Sequence, residues 1–179
     1  ALRERNLLAD PIGNLRKTAA AVTALDDRVG QLLDYLDERK LSNNTLVVFV
    51  GDNGFLLGRH GYWSKGLASD PINMYEEVMG VPLIARWLGQ VPPGRVRHEL
   101  VSVYDFVPSV LDLTGLPQPK GWNLCGRSYW PLLTTRNLGR WDNRVFGYFR
   151  NTAMLREERY KLVLRNGGKG PNELWDLET

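Results

Sequence analysis

Residues 45–54 read Thr-Leu-Val-Val-Phe-Val-Gly-Asp-Asn-Gly, and this stretch decides the fold class. Its first six residues are a continuous apolar and β-branched run, which predicts a strand buried on both faces, as in a parallel sheet. The run stops at Gly51, and the polar pair Asp52 and Asn53 follows directly. Ligands of open α/β sheets collect beyond the carboxyl ends of the strands, so this pair is a candidate site.

The segments before and after this strand predict an α/β layer. Apolar residues recur every three or four positions between residues 15 and 36, which predicts a long amphipathic helix. Gly30 lies within that helix and predicts a close approach to another element, because glycine lowers helix stability. A second strand is predicted at residues 81–87, and a shorter helix at residues 103–114.

The last part of the chain has a different character. Short strand candidates joined by tight turns predict a small antiparallel sheet, at residues 145–150, 154–156, 160–165 and 173–176. We therefore predict an α/β domain portion over residues 1–135 and a small antiparallel β subdomain over residues 136–179.

Composition excludes two classes of partner. The chain has 179 residues, with 23 Lys and Arg against 20 Asp and Glu, for a net charge of +3. The basic residues are scattered among acids rather than gathered in a stripe, so we expect no nucleic-acid partner. The basic residues lie closest together in sequence at Arg156, Arg159, Lys161 and Arg165. We predict that these four form the solvated face of a strand pair. No apolar run is long enough for a membrane helix, so no membrane partner is expected.

Asp52 and Asn53 offer a carboxylate and an amide oxygen, which are hard donors suited to Ca²⁺ or Mg²⁺. Two oxygens cannot fill the coordination shell of either ion, so further ligands have to come from elsewhere. Asp-Asn-Gly is also a common turn sequence, and both interpretations stay open on these residues alone.

The loop that follows carries a resemblance. After Gly54 the chain reads Leu57-Gly58-Arg59-His60-Gly61-Tyr62-Trp63-Ser64-Lys65, and the order strand, Asp-Asn-Gly, Leu-Gly-x-His-Gly-x-Trp-x-Lys resembles the metal-and-sulfate loop of the sulfatase family. Further segments resemble the family in the same order, from about Leu15 almost to the end of the chain. They include Ala24 to Gly30, Asn44 to Phe49, Met74 to Glu77, Val81 to Ile84, Tyr104 to Leu111, Gly126 to Leu133, Tyr160 to Val163 and Leu174 to Leu177.

The resemblance implies a partial alkaline-phosphatase-like sandwich, with a mostly parallel sheet flanked by helices. It implies that Asp52 and Asn53 are ligands of Ca²⁺ or Mg²⁺, and that Lys65 is a catalytic residue that binds a sulfate oxygen. His60 is assigned to substrate binding, although a histidine between glycines can also serve only to hold its loop by hydrogen bonds. The substrate implied is a sulfate ester, of a sugar or an aryl alcohol, attacked at sulfur by a hydrated formylglycine.

Sulfatases form the formylglycine within a Cys-x-Pro-x-Arg type motif, which this sequence lacks. Cys125, its one cysteine, precedes Gly-Arg-Ser-Tyr and is predicted to be a buried packing residue. We therefore expect the nucleophile and the remaining metal ligands upstream of Ala1, and no activity from the 179 residues alone. A partial α/β domain should also leave apolar surface uncovered, which favours self-association.

Two other functions stay open. One is a phosphonate monoester or phosphodiester hydrolase of the same superfamily, although many of those have His where Asn53 stands here. The other is a non-catalytic sulfatase-like domain, against which the retained Asp52, Asn53 and Lys65 argue.

Overall fold

A computed structural model describes residues 9–134 and 139–178, and the chain divides into two compact units between Gly89 and Gln90. The first unit holds a long helix, a pair of strands and the loop with the candidate site. The second holds two short helices and a four-stranded sheet. The predicted boundary between residues 135 and 136 falls outside the described residues and stays a prediction.

The long helix α1 runs over Pro11–Glu38. Asp10 caps it, because the Asp10 side chain accepts the Gly13 N–H at 2.9 Å and Pro11 occupies the first turn, where no N–H is needed. The helix predicted at residues 15–36 is therefore confirmed, with one more turn at its start. The expectation for Gly30 is wrong, since a Cβ at this position would meet no atom within 4 Å.

Two short strands of the first unit pair antiparallel. Strand β1, Val47–Val50, pairs with β2, Leu83–Arg86, in the register Val47 to Arg86. The α/β class is confirmed, but the parallel pairing and two-sided burial predicted for the 45–50 run are wrong within the described residues. Parallel strands are usually joined by a crossover α-helix, whereas the connection here holds two 3₁₀ turns and the four-residue helix α2, Glu76–Met79.

The sheet pair is tied to α1 by side chains. The Arg86 guanidinium lies 3.3 Å from the Asp37 carboxylate near the end of α1, and the Trp87 indole N–H donates to the Asn43 carbonyl at 2.8 Å. These contacts fix the end of the helix beside β2. They thereby fix the strand from which the candidate site extends.

The second unit begins with a capped helix. Helix α3, Phe106–Thr114, follows a 3₁₀ turn at Val103–Asp105. Ser102 and Asp105 form a capping box, in which the Ser102 N–H donates to the Asp105 carboxylate at 2.8 Å, and Gly115 ends the helix with φ 65°. The helix predicted at residues 103–114 is confirmed. A second short helix, α4, runs over Trp130–Thr134 and had no sequence signal.

The four-stranded sheet of the second unit is antiparallel throughout, in the order β3-β4-β5-β6. Its strands are β3 Val145–Phe149, β4 Thr152–Arg156, β5 Tyr160–Arg165 and β6 Glu173–Asp176. The small antiparallel sheet predicted from the short runs is confirmed, with strand ends within two residues.

The basic cluster on this sheet is not a solvated face. Lys161 and Arg165 are each only 3% exposed, on the same side of the sheet as the buried Val163. Arg165 is compensated by Glu173, at 2.7 Å between Nη1 and Oε1, which makes burial of its charge tolerable. Arg159 lies at the surface and pairs with Asp176 at 2.7 Å. The solvated interpretation is therefore wrong for Lys161 and Arg165, because strand alternation places both on the inner face.

Gly54 provides a first test of the fold around the site. A Cβ there would overlap the Glu77 carbonyl oxygen and lie 2.8 Å from that of Val78, and both are backbone atoms. We expect Gly54→Ala to lower the free energy of unfolding by roughly 1–3 kcal/mol, the usual range for overpacking. Gly30→Ala is the matched control, and should raise it by about 0.5–1 kcal/mol because alanine favours the helix. Urea unfolding measures both, and an unchanged midpoint for Gly54→Ala would contradict the close approach.

The exposed apolar residues predict association of the 179-residue chain. One face of the four-stranded sheet exposes Phe146, Tyr148 and Leu174, the second of these at 76%. Apolar surface of this kind favours self-association. In sedimentation experiments we expect the chain to form oligomers. The double variant Phe146→Gln, Leu174→Gln should lower the oligomer fraction. Leu116→Gln, a change at an exposed position off the sheet, should leave that fraction unchanged. A monomer with cooperative unfolding would refute this.

Candidate functional site

The candidate site is one loop of the first unit, residues 51–66, which leaves the end of β1. The Gly51 N–H still bonds to the Pro82 carbonyl at 3.1 Å, so the pairing of β1 with β2 continues up to the site. Asp52 and Asn53 come next, adjacent and exposed. They therefore lie directly beyond the carboxyl end of a strand, where the sequence placed them.

The donor chemistry of this pair fits a hard cation. Asn53 donates its side-chain N–H to the Gly54 carbonyl at 2.6 Å, which leaves its amide oxygen as the group available for a ligand. The Asp52 carboxylate has no hydrogen-bond or ion-pair partner among the described residues. Carboxylate and amide oxygens suit Ca²⁺ or Mg²⁺, but each ion needs at least six ligands. In the described part of the chain no group of three or more His, Cys, Asp or Glu residues could hold a metal ion, so Asp52 and Asn53 could supply only part of such a site.

The interior of the loop is packed and hydrogen-bonded. Leu56 is fully buried and Trp63 is 4% exposed. The Leu56 N–H donates to the Ser64 carbonyl at 3.0 Å, and the Gly58 N–H donates to the Tyr62 carbonyl at 2.8 Å. The loop is therefore a closed stem, in which the residue before Lys65 is bonded back to the beginning of the loop.

His60 lies at the tip of this stem, and its ring has two partners. Its Nε2 lies 3.2 Å from the Glu77 Oε2, and its ring stacks on Tyr75 with centroids 4.0 Å apart and planes 15° apart. Arg59 binds the other oxygen of the same carboxylate, at 3.0 Å. These contacts favour the loop-holding alternative for His60, while its substrate-binding role stays a prediction.

Glu77 is ionised in this arrangement. Partial burial pushes the pKa of the Glu77 carboxyl upward, but hydrogen bonds from its own backbone N–H, from Arg59 and from His60 outweigh that effect, and the net pKa is lowered. The carboxylate therefore contacts both basic residues of the loop tip, Arg59 with one oxygen and His60 with the other.

Lys65 differs from Arg59 and His60, which both contact Glu77. Its side chain is exposed, and its ammonium has no hydrogen-bond or ion-pair partner among the described residues. Its backbone carbonyl accepts the Ala68 N–H at 2.9 Å, which fixes the main chain but not the charge. An ammonium without a carboxylate partner remains available to an anionic ligand.

The segment after Lys65 is closed by Asn73, which is 5% exposed. The Asn73 side-chain N–H group donates to the Ser69 hydroxyl at 2.8 Å and to the Gly66 carbonyl at 3.3 Å, and its backbone N–H donates to the same carbonyl at 3.2 Å. Residues 66–73 therefore form a closed turn rather than an open insertion.

The sequence did not reveal three of these side chains: Glu77, Tyr75 and Asn73. The Tyr-Glu-Glu segment was noted only as part of the resemblance, and nothing in its spacing indicated which carboxylate reaches the loop. Cys125 corrects a prediction as well, because it is exposed and not a buried packing residue. It lies in an irregular segment of the second unit, where no apolar pattern requires burial.

Comparison with known proteins places these observations in a family. The model of the family described as Sulfatase matches residues 3–116. The chain is 33% identical over 135 residues to N-acetylglucosamine-6-O-sulfatase of Bacteroides thetaiotaomicron, covering 75% of this chain and 23% of that protein. It is 32% identical over 142 residues to N-acetylgalactosamine-6-sulfatase of Homo sapiens, covering 75% of this chain and 26% of that protein.

Solved structures agree with the sequence matches. One, of a protein in complex with its substrate D-glucosamine-2-N,6-O-disulfate, superposes with a TM-score of 0.75 at 27% identity, and covers 92% of this chain and 34% of that one. The chain thus spans about a quarter of the length of these two curated relatives. Within the described residues no helix is long and apolar enough to cross a membrane. The family model covers well over half of the 179 residues, and the chain therefore belongs to the sulfatase family.

Proposed function

We propose that this chain is part of a sulfuric ester hydrolase and contributes two metal ligands and one sulfate-binding cation to its active site. The observation that carries the proposal is the charge pattern of the 51–66 loop. Asp52 and Lys65 are its charged side chains without a partner in the described residues, while Arg59 and His60 both contact the Glu77 carboxylate. The loop thus presents one anionic and one cationic group at its two ends.

Lys65 is assigned to the sulfate group. The oxygens of a transferring sulfuryl group carry negative charge, which a fixed ammonium stabilises as that charge is redistributed. The buried Leu56 and Trp63 and the bond from Leu56 to Ser64 hold the main chain that carries Lys65. The main chain at Lys65 is therefore fixed before substrate arrives, which limits the region that its ammonium can reach.

Asp52 and Asn53 are assigned to Ca²⁺ or Mg²⁺, with the Asp52 carboxylate and the Asn53 amide oxygen as ligands. Such an ion supplies Lewis-acid stabilisation of charge on the reacting group. The bond from the Asn53 side chain to the Gly54 carbonyl restricts its amide plane. The remaining ligands are assigned to residues outside this sequence.

The formylglycine nucleophile is also assigned to residues outside this sequence, since Cys125 is its one cysteine and is not in a Cys-x-Pro-x-Arg motif. The proposed substrates are sulfated sugars. The support for them is that the curated relatives are named for 6-sulfated amino sugars, and that one structural relative holds a disulfated glucosamine.

Asp52 provides the test of the metal assignment. In the intact enzyme, Asp52→Ala should lower both Ca²⁺ affinity and turnover of a sulfate ester, because it removes a charged ligand. Asp27→Ala is the matched control, since Asp27 is an exposed carboxylate of α1 far along the chain from the loop. Calorimetric titration with Ca²⁺ beside steady-state kinetics measures both. Normal Ca²⁺ affinity in Asp52→Ala would remove this residue from the metal site.

Lys65 provides the test of the sulfate assignment. Lys65→Ala should cut turnover by roughly 100-fold or more, the scale of a single lost oxyanion donor. Stability should change by no more than about 0.5 kcal/mol, because the side chain is exposed. Ca²⁺ affinity should stay near normal, because an ammonium is not a ligand. Lys17→Ala, an exposed lysine of α1, is the control.

Steady-state kinetics on an aryl sulfate and on a 6-sulfated amino sugar, beside a thermal melt, give the result. Normal turnover by folded Lys65→Ala enzyme would overturn the sulfate assignment. Turnover of a phosphodiester in preference to both sulfate esters would favour the phosphodiester hydrolase instead, and no turnover of any ester would favour a non-catalytic domain.

A further inference from the structure

The short helix α2, Glu76–Met79, holds the candidate loop at two points. Its Val78 carbonyl accepts the Gly54 N–H at 3.0 Å, immediately after the proposed metal ligands. Its Glu77 carboxylate binds Arg59 with one oxygen and His60 with the other, at 3.0 and 3.2 Å. One four-residue element therefore fixes both the start and the tip of the loop.

The tip needs this support because its backbone is disfavoured. His60 has φ 55° and ψ 19°, a left-handed conformation that residues other than glycine rarely adopt. The bond to Glu77 and the stacking on Tyr75 offset that cost, and the net lowering of the Glu77 pKa agrees with a carboxylate held by cations. Without Glu77, the tip would lose the contact of Arg59 and one of the two contacts of His60.

The tip is coupled to Lys65 through the stem. Tyr62 follows the tip and is bonded to Gly58, and Ser64 is bonded to Leu56, so the two sides of the stem move together. Lys65 is the next residue after Ser64. Greater motion of the tip is therefore expected to move the main chain of Lys65 and with it the ammonium.

We propose that Glu77 is a positioning residue of the sulfate site, which acts through Arg59 and His60 to set the place of Lys65. This inference rests on the proposed function of Lys65. Glu77 does not itself touch the sulfate group in this scheme, because both of its oxygens are engaged by the loop. A misplaced ammonium should slow the sulfuryl transfer step, and should leave the metal ligands in place.

The first arm of the test is hydrogen exchange on the intact enzyme. Glu77→Gln keeps the size of the side chain but removes its charge, so we expect faster exchange of the amides of Leu56, Gly58 and Tyr62. Exchange in α1 and in the four-stranded sheet should not change. Glu38→Gln, an exposed carboxylate at the end of α1, is the charge-matched control.

The second arm is kinetic. Glu77→Gln should lower kcat by roughly 10- to 100-fold, the scale of a catalytic group displaced by about 1 Å. Ca²⁺ affinity should be unchanged. Glu77→Gln combined with Lys65→Ala should be no slower than Lys65→Ala alone, because a residue that acts only by placing Lys65 has no effect once Lys65 is gone.

The outcomes separate the two proposals. If the wild-type enzyme turns over a sulfate ester but Glu77→Gln shows normal hydrogen exchange or normal kcat, the role of Glu77 is overturned and the sulfatase assignment stands. Absence of turnover in the wild-type enzyme, with exchange of the loop still raised by Glu77→Gln, overturns the sulfatase assignment instead. Additive losses in the double variant show that Glu77 does not act through Lys65.

If Glu77→Gln fails to fold, Arg59→Ala replaces it. Arg59 is 70% exposed, and its removal takes away one of the two groups that Glu77 holds. Its effects on exchange and on kcat should have the same direction and a smaller size. An unchanged loop in a folded Arg59→Ala enzyme would overturn the proposal.

Discussion

The hydrogen bond from the Gly54 N–H to the Val78 carbonyl fixes where the candidate loop begins. It requires glycine, since any Cβ at position 54 would overlap backbone oxygens of α2. Because β1 ends just before this contact and Asp52 and Asn53 lie between the two, both ends of the metal pair are held by main-chain atoms. The main chain of Asp52 and Asn53 is therefore held on both sides, by the Gly51 bond to Pro82 and by the Gly54 bond to Val78.

Among the basic residues of the 51–66 loop, Lys65 is the one whose side chain has no partner in the described residues. Arg59 and His60 share the Glu77 carboxylate, and the contact of a cation with a partly buried acid lowers the pKa of that acid. Lys65 has no such partner in the described chain. Of the three basic residues of this loop, Arg59 and His60 therefore contact Glu77, and Lys65 does not.

The positions of helices and strands were predicted well, because they depend on patterns within one segment. Strand pairing and side-chain burial were predicted less well, because they depend on contacts between segments. The spacing of apolar residues predicted α1 and the four strands of the second sheet, because amphipathic periodicity is a property of one segment. The antiparallel pairing of β1 with β2 was not predicted, because an apolar run does not specify which strand it pairs with. Lys161 and Arg165 were placed in solvent for a similar reason, since only the folded sheet brings Glu173 beside Arg165.

The candidate site shows the same division. Asp52 and Asn53 could be singled out because donor chemistry and the resemblance both point to them, whereas Lys65 was singled out by the resemblance alone. Glu77 and Asn73 could not, because Glu77 contacts His60 from 17 positions away and Asn73 contacts Gly66 from 7, through contacts that exist only in the folded loop. Gly30 was given a structural role that it lacks, whereas the need for glycine at position 54 comes from α2, which approaches it from more than 20 residues along the chain.

We propose that the two ends of the 51–66 loop bind one metal ion and one sulfate group. A crystal structure of the intact enzyme with Ca²⁺ and a bound 6-sulfated amino sugar tests this proposal. We expect Ca²⁺ at about 2.3–2.6 Å from the Asp52 carboxylate and the Asn53 amide oxygen. We also expect the Lys65 ammonium at about 2.7–2.9 Å from a sulfate oxygen of the same ligand. Electron density for the cation or the sulfate group away from these residues would refute these assignments.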